Sequence, residues 1–186
     1  DRLALLRRVE GLATDPLRDD ALAGRTRETI LMLDPGAADV AARAFSQAER
    51  EGRWSKLPGF ISLLEGASAK AAADGGDVAA VDALLLPRLS TLVDVLLGER
   101  RAEETVGVAD PVAAFDAAKR LLEREGGDAA FDRFVRAARA AGREETIVPA
   151  MVKAELLRST NVRPGWQRAL SSVASASWPN APRRSR

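Results

Sequence analysis

The chain of 186 residues contains no cysteine, no histidine and no tyrosine. Without cysteine it can form neither a disulfide bond nor a thiolate nucleophile, and without cysteine or histidine it lacks the usual ligands of zinc. The absence of histidine also excludes a Ser-His-Asp triad and removes the side chain that titrates near neutral pH. These absences favour a non-catalytic protein, and we expect neither a cofactor nor a metal ion.

Two groups of neighbouring acidic residues remain as candidates for acid–base catalysis: Asp19 with Asp20, and Glu99 with Glu103 and Glu104. Catalytic carboxylates have to be held in a cleft that pushes their pKa values apart. Both groups instead lie beside arginines at polar helix ends, which is typical of solvated ion pairs. An enzyme built on Asp, Glu, Ser or Lys is therefore the least favoured of three hypotheses.

The charges are almost balanced, with a formal net charge of +1 at pH 7. A globally basic protein that binds nucleic acid is therefore disfavoured, although a local basic patch is compatible with this balance. Arginine (24 residues) far outnumbers lysine (4 residues), which is typical of a GC-rich genome. The chain begins with Asp1 and shows no secretory signal, and we expect it to be part of a larger bacterial, cytoplasmic protein.

Signals for β-strands are nearly missing from the sequence. The one β-branched run is Thr146-Ile147-Val148, and Pro149 follows it directly. Apolar residues instead recur at helical spacing along the chain. We predict an all-α fold without a sheet, with about ten helices arranged as a multi-helix bundle or as a short solenoid of α-hairpins.

The longest apolar run, residues 79–97, predicts a helix in the centre of the core. Pro87 cannot donate a backbone hydrogen bond, and we expect it to divide the run into helices at 78–86 and 88–103. Charged residues at Asp82, Arg88 and Asp94 disfavour a membrane span. The leucines of the run form one helical stripe: Leu85, Leu89, Leu92 and Leu96.

Aspartate and glycine mark the expected helix boundaries. Asp-Pro pairs at 15–16, 34–35 and 110–111 predict helix starts, because aspartate caps a helix and proline fits its first turn. Asp77 and Asp128 are expected caps after pairs of glycines, and Gly52 and Gly142 are expected to end helices. The predicted helices are 2–13, 16–23, 25–33, 35–51, 58–73, 78–86, 88–103, 111–125, 129–141, 148–158 and 164–177.

The clearest supersecondary unit is an α-hairpin over 111–141, whose two apolar stripes are expected to face each other. Short echoes pair residues 34–52 with 110–126, and Gly-Gly-Asp occurs at 75–77 and again at 126–128. They leave open whether the hairpins are true repeats. We predict one all-α domain over 1–178 and a disordered, arginine-rich tail over 179–186.

Two sets of residues are candidate binding sites. Four arginines fall on one side of a helix, opposite its phenylalanines, and could bind phosphates or an acidic partner; the same pattern is typical of a solvated helix face. Two tryptophans near the C-terminus could form a partner surface, or they could dock the last helix on the core. These candidates are Arg133, Arg136, Arg139, Arg143, Trp166 and Trp178.

The sequence therefore predicts a non-catalytic helical domain for protein–protein interaction or scaffolding. Stacked amphipathic hairpins create grooves that can receive a partner helix or peptide, or a second copy of the same chain. The alternative is a nucleic-acid-associated helical domain that uses the arginine stripe and the basic tail.

Overall fold

The computed structural model describes residues 1–15, 17–100, 102–105 and 107–158. These residues form nine α-helices and two 3₁₀ turns and contain no strand, which confirms the all-α prediction. The helices are α1 (Arg2–Thr14), α2 (Asp20–Leu33), α3 (Ala38–Arg50), α4 (Leu57–Ala73), α5 (Val78–Leu96), α6 (Ala102–Thr105), α7 (Pro111–Glu125), α8 (Asp128–Ala140) and α9 (Ile147–Arg158). The 3₁₀ turns are Trp54–Lys56 and Glu144–Thr146.

The chain divides into two compact units, Asp1–Val108 and a second that starts at Ala109. The first contains α1 to α6, and the second contains α7 to α9. The predicted helix at 164–177 and the predicted tail at 179–186 lie outside the described residues. The prediction of one domain over 1–178 therefore stays a prediction.

The predicted α-hairpin is present in the second unit as α7 and α8. Asp110 caps α7 by accepting hydrogen bonds from the amides of Val112 and Ala113, both at 3.0 Å. Gly126 ends α7 with a left-handed φ of 58°, which a glycine adopts without steric cost. The facing stripes are buried as expected: Ala114, Ala118, Leu121 and Leu122 on α7, and Phe131, Phe134, Val135 and Ala138 on α8.

Helix α5 places the predicted leucine stripe in the core of the first unit, but it does not break at Pro87. The helix runs without interruption from Val78 to Leu96, so the two helices expected at 78–86 and 88–103 are one. Pro87 and Ala83 both lie on the exposed side of α5. Water can therefore solvate the carbonyl of Ala83, which loses its partner because proline has no N–H.

Gly24 does not separate two helices either, since α2 continues through it. A Cβ atom at this position would lie 3.1 Å from Nε2 of Gln47, so the glycine allows close packing of α2 on α3. The prediction of separate helices at 16–23 and 25–33 is therefore wrong.

Three of the five expected aspartate caps are also wrong. Asp15 and Asp34 end α1 and α2 instead of starting the next helices, and Asp128 lies inside α8, one residue after its N-cap. The side chain of Asp34 accepts a hydrogen bond from the amide of Gly36 (3.2 Å), within the loop before α3. Asp77 caps α5 as predicted, with Oδ1 2.9 Å from the amide of Ala80.

The two units contain the same succession of helices, which we call the three-helix module. An Asp-capped helix (α2 or α7) leads to a second helix (α3 or α8), a 3₁₀ turn and a third helix (α4 or α9). From the second helix onward, each element starts 90 positions after its counterpart: 38 and 128, 54 and 144, 57 and 147. The echoes seen in the sequence lie in another register, because they align α3 with α7.

The turn before the third helix is repeated in detail. Gly52 and Gly142 follow the second helices with left-handed φ values of 67° and 65°. The amide of the next residue, Arg53 or Arg143, donates to the carbonyl of Ala48 (2.8 Å) or Ala138 (2.7 Å). Such a 6→1 bond after a glycine is the usual way of ending a helix and turning the chain.

The pattern of buried residues is also the same in the two modules. The five buried residues of α2 correspond, 91 positions later, to five buried residues of α7. Every buried residue of α8 takes a position that is also buried in α3: Ala130, Phe131, Phe134, Val135, Ala137 and Ala138. The two modules therefore turn the same faces of their first two helices toward the core.

Replacing Pro87 by alanine is expected to raise the free energy of unfolding by about 1–3 kcal/mol. Alanine restores the missing hydrogen bond and is a far better residue in a helix interior. The measurement is urea unfolding followed by far-ultraviolet circular dichroism. Pro58→Ala is the matched control, because Pro58 lies in the first turn of α4, where proline costs no hydrogen bond. An equal gain from both variants would contradict the explanation.

Candidate interaction surfaces

The most polar cluster of the first unit is buried where α1, α2 and α3 meet. Arg27 is 3% exposed, and its guanidinium donates to Oε1 of Glu10 (2.7 Å), Oε1 of Gln47 (2.7 Å) and Oγ1 of Thr14 (2.8 Å). Arg43 donates to both carboxylate oxygens of Glu10, at 3.0 and 3.2 Å. We call these five residues the Arg27 cluster.

The Arg27 cluster is engaged in hydrogen bonds within the protein. Gln47 accepts from Arg27 and donates through Nε2 to the carbonyl of Asp20 and to Glu51, both at 2.7 Å. Glu10 accepts from two guanidinium groups. A buried charge with such partners fixes the packing of the three helices.

The Arg27 cluster was not predicted from the sequence, although the sequence carries a signal for it. Arg27 is four residues after Ala23 and three before Ile30, so it lies in the middle of the apolar stripe of α2. A charged residue at such a position predicts a buried partner of opposite charge. The partners come from α1 and α3, and which residues meet Arg27 depends on how the helices pack.

A half-buried arginine, Arg88, joins α5 to α3. Arg88 donates through Nε to the carbonyl of Ala42 (3.0 Å) and through Nη1 to the carbonyl of Leu84 (2.7 Å). Burial lowers the pKa of the Arg88 guanidinium from its ordinary value, and the negative charge of Glu49 partly offsets this effect. Arg88 thus holds α5 in its place on α3.

Among the described residues of the first unit, two grooves are open to solvent. One follows α2 and α3 and is lined by Asp20, Gly24, Arg25 and Glu51, among others. The other lies between α4 and the loop that follows α2, with Asp34 on one side and Lys70 on the other. Their mixed charges favour contact with water or a polar surface over an enclosed small molecule.

Three of the four predicted arginines share the outer side of α8. Arg136 and Arg139 are exposed, and Arg133 is half-buried. The same side of the helix carries the acidic residues Asp128 and Asp132, so it is a surface of mixed charge. A stripe that binds phosphates requires an excess of positive charge. The nucleic-acid hypothesis gains no support from this arrangement and stays a prediction.

Arg143, the fourth arginine, is placed differently. It follows α8, and its guanidinium carbon lies 5.3 Å from the centroid of the Phe115 ring. Phe115 in turn packs on Phe134, with 5.5 Å between ring centroids. Arg143 therefore covers the aromatic core of the second unit by a cation–π contact. The two predicted tryptophans, Trp166 and Trp178, lie outside the described residues.

In the part of the chain that the structure describes, no three acidic side chains form a group that could hold a metal ion. Asp19 caps α2, since its Oδ1 accepts from the amide of Leu22 at 2.9 Å. Among the described helices, none is both long and apolar enough to cross a membrane.

Exposed apolar residues on helix faces are the feature most suited to binding. Val148 and Val152 lie one turn apart on α9 and are 41% and 47% exposed. Leu5 and Leu12 lie two turns apart on α1 and are also exposed. These residues were not predicted from the sequence as a binding site, because an apolar residue on a helix is expected in the core until its neighbours are known.

Comparisons of the chain with protein-family models, with curated proteins and with solved structures find no match. The chain's own surfaces are therefore the evidence for its function.

Removing the charge at the centre of the Arg27 cluster is expected to destabilise the first unit strongly. Arg27→Ala leaves Glu10 buried with one cation fewer and removes the donor to Oε1 of the buried Gln47, which should cost about 3–5 kcal/mol of unfolding free energy. Urea unfolding measures the loss. Arg25→Ala, at an exposed position of the same helix, should change stability by less than about 0.5 kcal/mol. Equal losses would refute the assignment.

The contact between Arg143 and Phe115 is expected to contribute about 0.5–1 kcal/mol to the stability of the second unit. A double-mutant cycle with Arg143→Ala and Phe115→Leu isolates this coupling. Arg143→Ala should lower the unfolding midpoint in the natural chain and have little effect when Phe115 is already leucine. Additive losses would show that the stacking does not stabilise the fold.

Proposed function

We propose that this chain is a non-catalytic helical module that binds a protein partner through the outer face of α9. The observation that carries the proposal is the pair of exposed valines, Val148 and Val152, on a helix that packs in the core through the adjacent Ile147. An apolar pair on a helix can receive the apolar face of a partner helix or an extended peptide.

The three-helix module of the first unit provides an internal comparison for this surface. At the positions of Val148 and Val152 it has Pro58 and Ser62, which are also exposed. Both modules therefore leave the face open, but only the second makes it apolar with valine. Two branched aliphatic residues at positions that the fold leaves in water support a binding role over a packing role.

The free energy available from burying the two valines is large enough for a specific contact. Burying a valine side chain fully is worth about 1.5–3 kcal/mol. Two such residues can supply a useful share of the binding energy of a small helical interface. The exposed leucines of α1 offer a second apolar face, on the first unit.

The test is the double variant Val148→Asp/Val152→Asp. It should weaken partner binding by about 100-fold, because two charges replace the apolar contact and would have to be buried. Binding is measured by cross-linking and mass spectrometry of protein complexes captured from cells, and self-association by light scattering over a range of concentrations. Helix content should stay unchanged, because both positions are exposed.

The matched control is Pro58→Asp/Ser62→Asp, which places two charges at the corresponding positions of the first module. It should leave the captured partner, or the dimer, unaffected. If both double variants lose the same partners, or if neither does, the outer face of α9 is not the binding surface.

A further inference from the structure

Helix α1 presents leucines to water on the side that does not pack against the rest of the first unit. Leu5 and Leu12 are 63% and 49% exposed and lie two turns apart, so they share one side of the helix. Arg8 is also exposed and lies between them, three residues after Leu5 and four before Leu12. We call the surface of Leu5, Arg8 and Leu12 the outer face of α1.

The outer face of α1 points away from the contacts that hold α1 in place. Those contacts start from Glu10, which accepts from Arg27 of α2 and Arg43 of α3, and from Arg7, which pairs with Asp39 of α3. At 100° per residue, each leucine of the outer face lies roughly 140–160° around the helix from Glu10 and Arg7. The outer face is therefore open to a partner without any rearrangement of the fold.

The exposed charge of α1 is exclusively positive. Glu10, the one acidic residue of the helix, is 6% exposed and is bound by two guanidinium groups. The other charged residues of α1 are Arg2, Arg7 and Arg8, and all three are exposed. In the described part of the chain, Arg7 pairs with acidic residues, whereas the guanidinium groups of Arg2 and Arg8 have no partner.

The position of Arg2 is not explained by the stability of the helix. Arg2 is the first residue of α1, where the helix macrodipole favours a negative charge, and the last turn, where it favours a positive charge, has no basic residue. A cation at this end raises the free energy of the helix slightly. Together with the unpaired Arg8, it gives the leucines a flank that attracts carboxylates.

We propose that the outer face of α1 binds an acidic amphipathic helix of a partner protein. Apolar side chains of that helix pack on Leu5 and Leu12, in the way that an amphipathic helix lays its apolar face on a complementary surface. Its flanking aspartates and glutamates accept hydrogen bonds from Arg2 and Arg8, because guanidinium and carboxylate form strong charge-assisted pairs.

An anionic membrane carries the same charge as this partner, but the sequence around α1 suits it less. Helices that lie on membranes use tryptophan or phenylalanine on the apolar face and are rich in lysine or arginine. Residues 1–44 contain neither an aromatic residue nor a lysine. Exposed Asp15, Asp19 and Asp20 follow α1 directly, and lipid phosphates would repel them.

The inference is independent of the proposed function. The outer face of α1 belongs to the first unit, whereas Val148 and Val152 belong to the second. The variant Val148→Asp/Val152→Asp should bind an acidic helix through α1 as the natural chain does, so either proposal can fail without the other.

The probe for the test is a synthetic helical peptide of about 18 residues, or five turns, with leucines at helical spacing and glutamates beside them. A second peptide has lysine at every glutamate position. Fluorescence anisotropy of the labelled peptides measures their binding to the full chain. The acidic peptide should bind at least about tenfold more tightly than the lysine peptide, and added salt should reduce this difference.

The charge-reversed variant Arg2→Glu/Arg8→Glu should prefer the lysine peptide. Glutamate is favourable in the first turn of a helix, so the variant should keep the unfolding midpoint of the natural chain. The matched control is Arg50→Glu, which makes the same change of charge at an exposed position at the end of α3. It should leave the preference for the acidic peptide unchanged.

The variant Leu5→Gln/Leu12→Gln removes the apolar contact without adding charge. It should weaken binding of the acidic peptide by about tenfold or more, because two buried leucine contacts are lost. Val112→Gln, at an exposed position of α7, is the control and should bind normally. Unchanged binding by the leucine variant contradicts the proposal.

Three further results would overturn it. Equal affinity for the two peptides would show that Arg2 and Arg8 do not select the partner. A dimer in light scattering that Leu5→Gln/Leu12→Gln converts to a monomer would make a second copy of the chain the occupant. Flotation with phosphatidylglycerol vesicles, without binding of the acidic peptide, would make the occupant a lipid surface.

Discussion

The buried guanidinium of Arg27 is the constraint on which the first unit depends. An arginine that is 3% exposed has lost its water, and only hydrogen bonds from several directions can compensate for that loss. Glu10 and Thr14 on α1 and Gln47 on α3 supply them. Helices α1, α2 and α3 therefore have one arrangement in which the charge is paired, and the apolar residues around it pack to that arrangement.

The second unit builds the same module without this charge. The positions of Arg27 and Gln47 are taken by Ala118 and Ala137, both fully buried. At the position of Gly24, against which Gln47 packs in the first unit, stands Phe115. At these two positions the first module thus has a long polar residue and a glycine, whereas the second module has an alanine and a phenylalanine. The core volume is filled in either way, because packing density matters more than the identity of the residues.

The outward faces are where the two modules differ most in chemistry. Both modules expose the same two positions, since no described element covers them. These positions are Pro58 and Ser62 in the first module and Val148 and Val152 in the second. The first module also shows how a following helix closes the opposite side of α4. Val148 and Val152 of the second module are the feature on which the proposed binding of a partner rests.

The sequence by itself determined the helical class, the hairpin of α7 and α8 and the leucine stripe of α5, because these follow from local spacing and from caps such as Asp110. It failed at Pro87 and Gly24, where local rules predict breaks but tertiary packing holds one helix. Only the tertiary structure decided that Arg27 meets Glu10, that the modules align at 90 positions and that Val148 and Val152 are exposed. Such properties depend on which helices become neighbours, and helix periodicity alone does not contain that information.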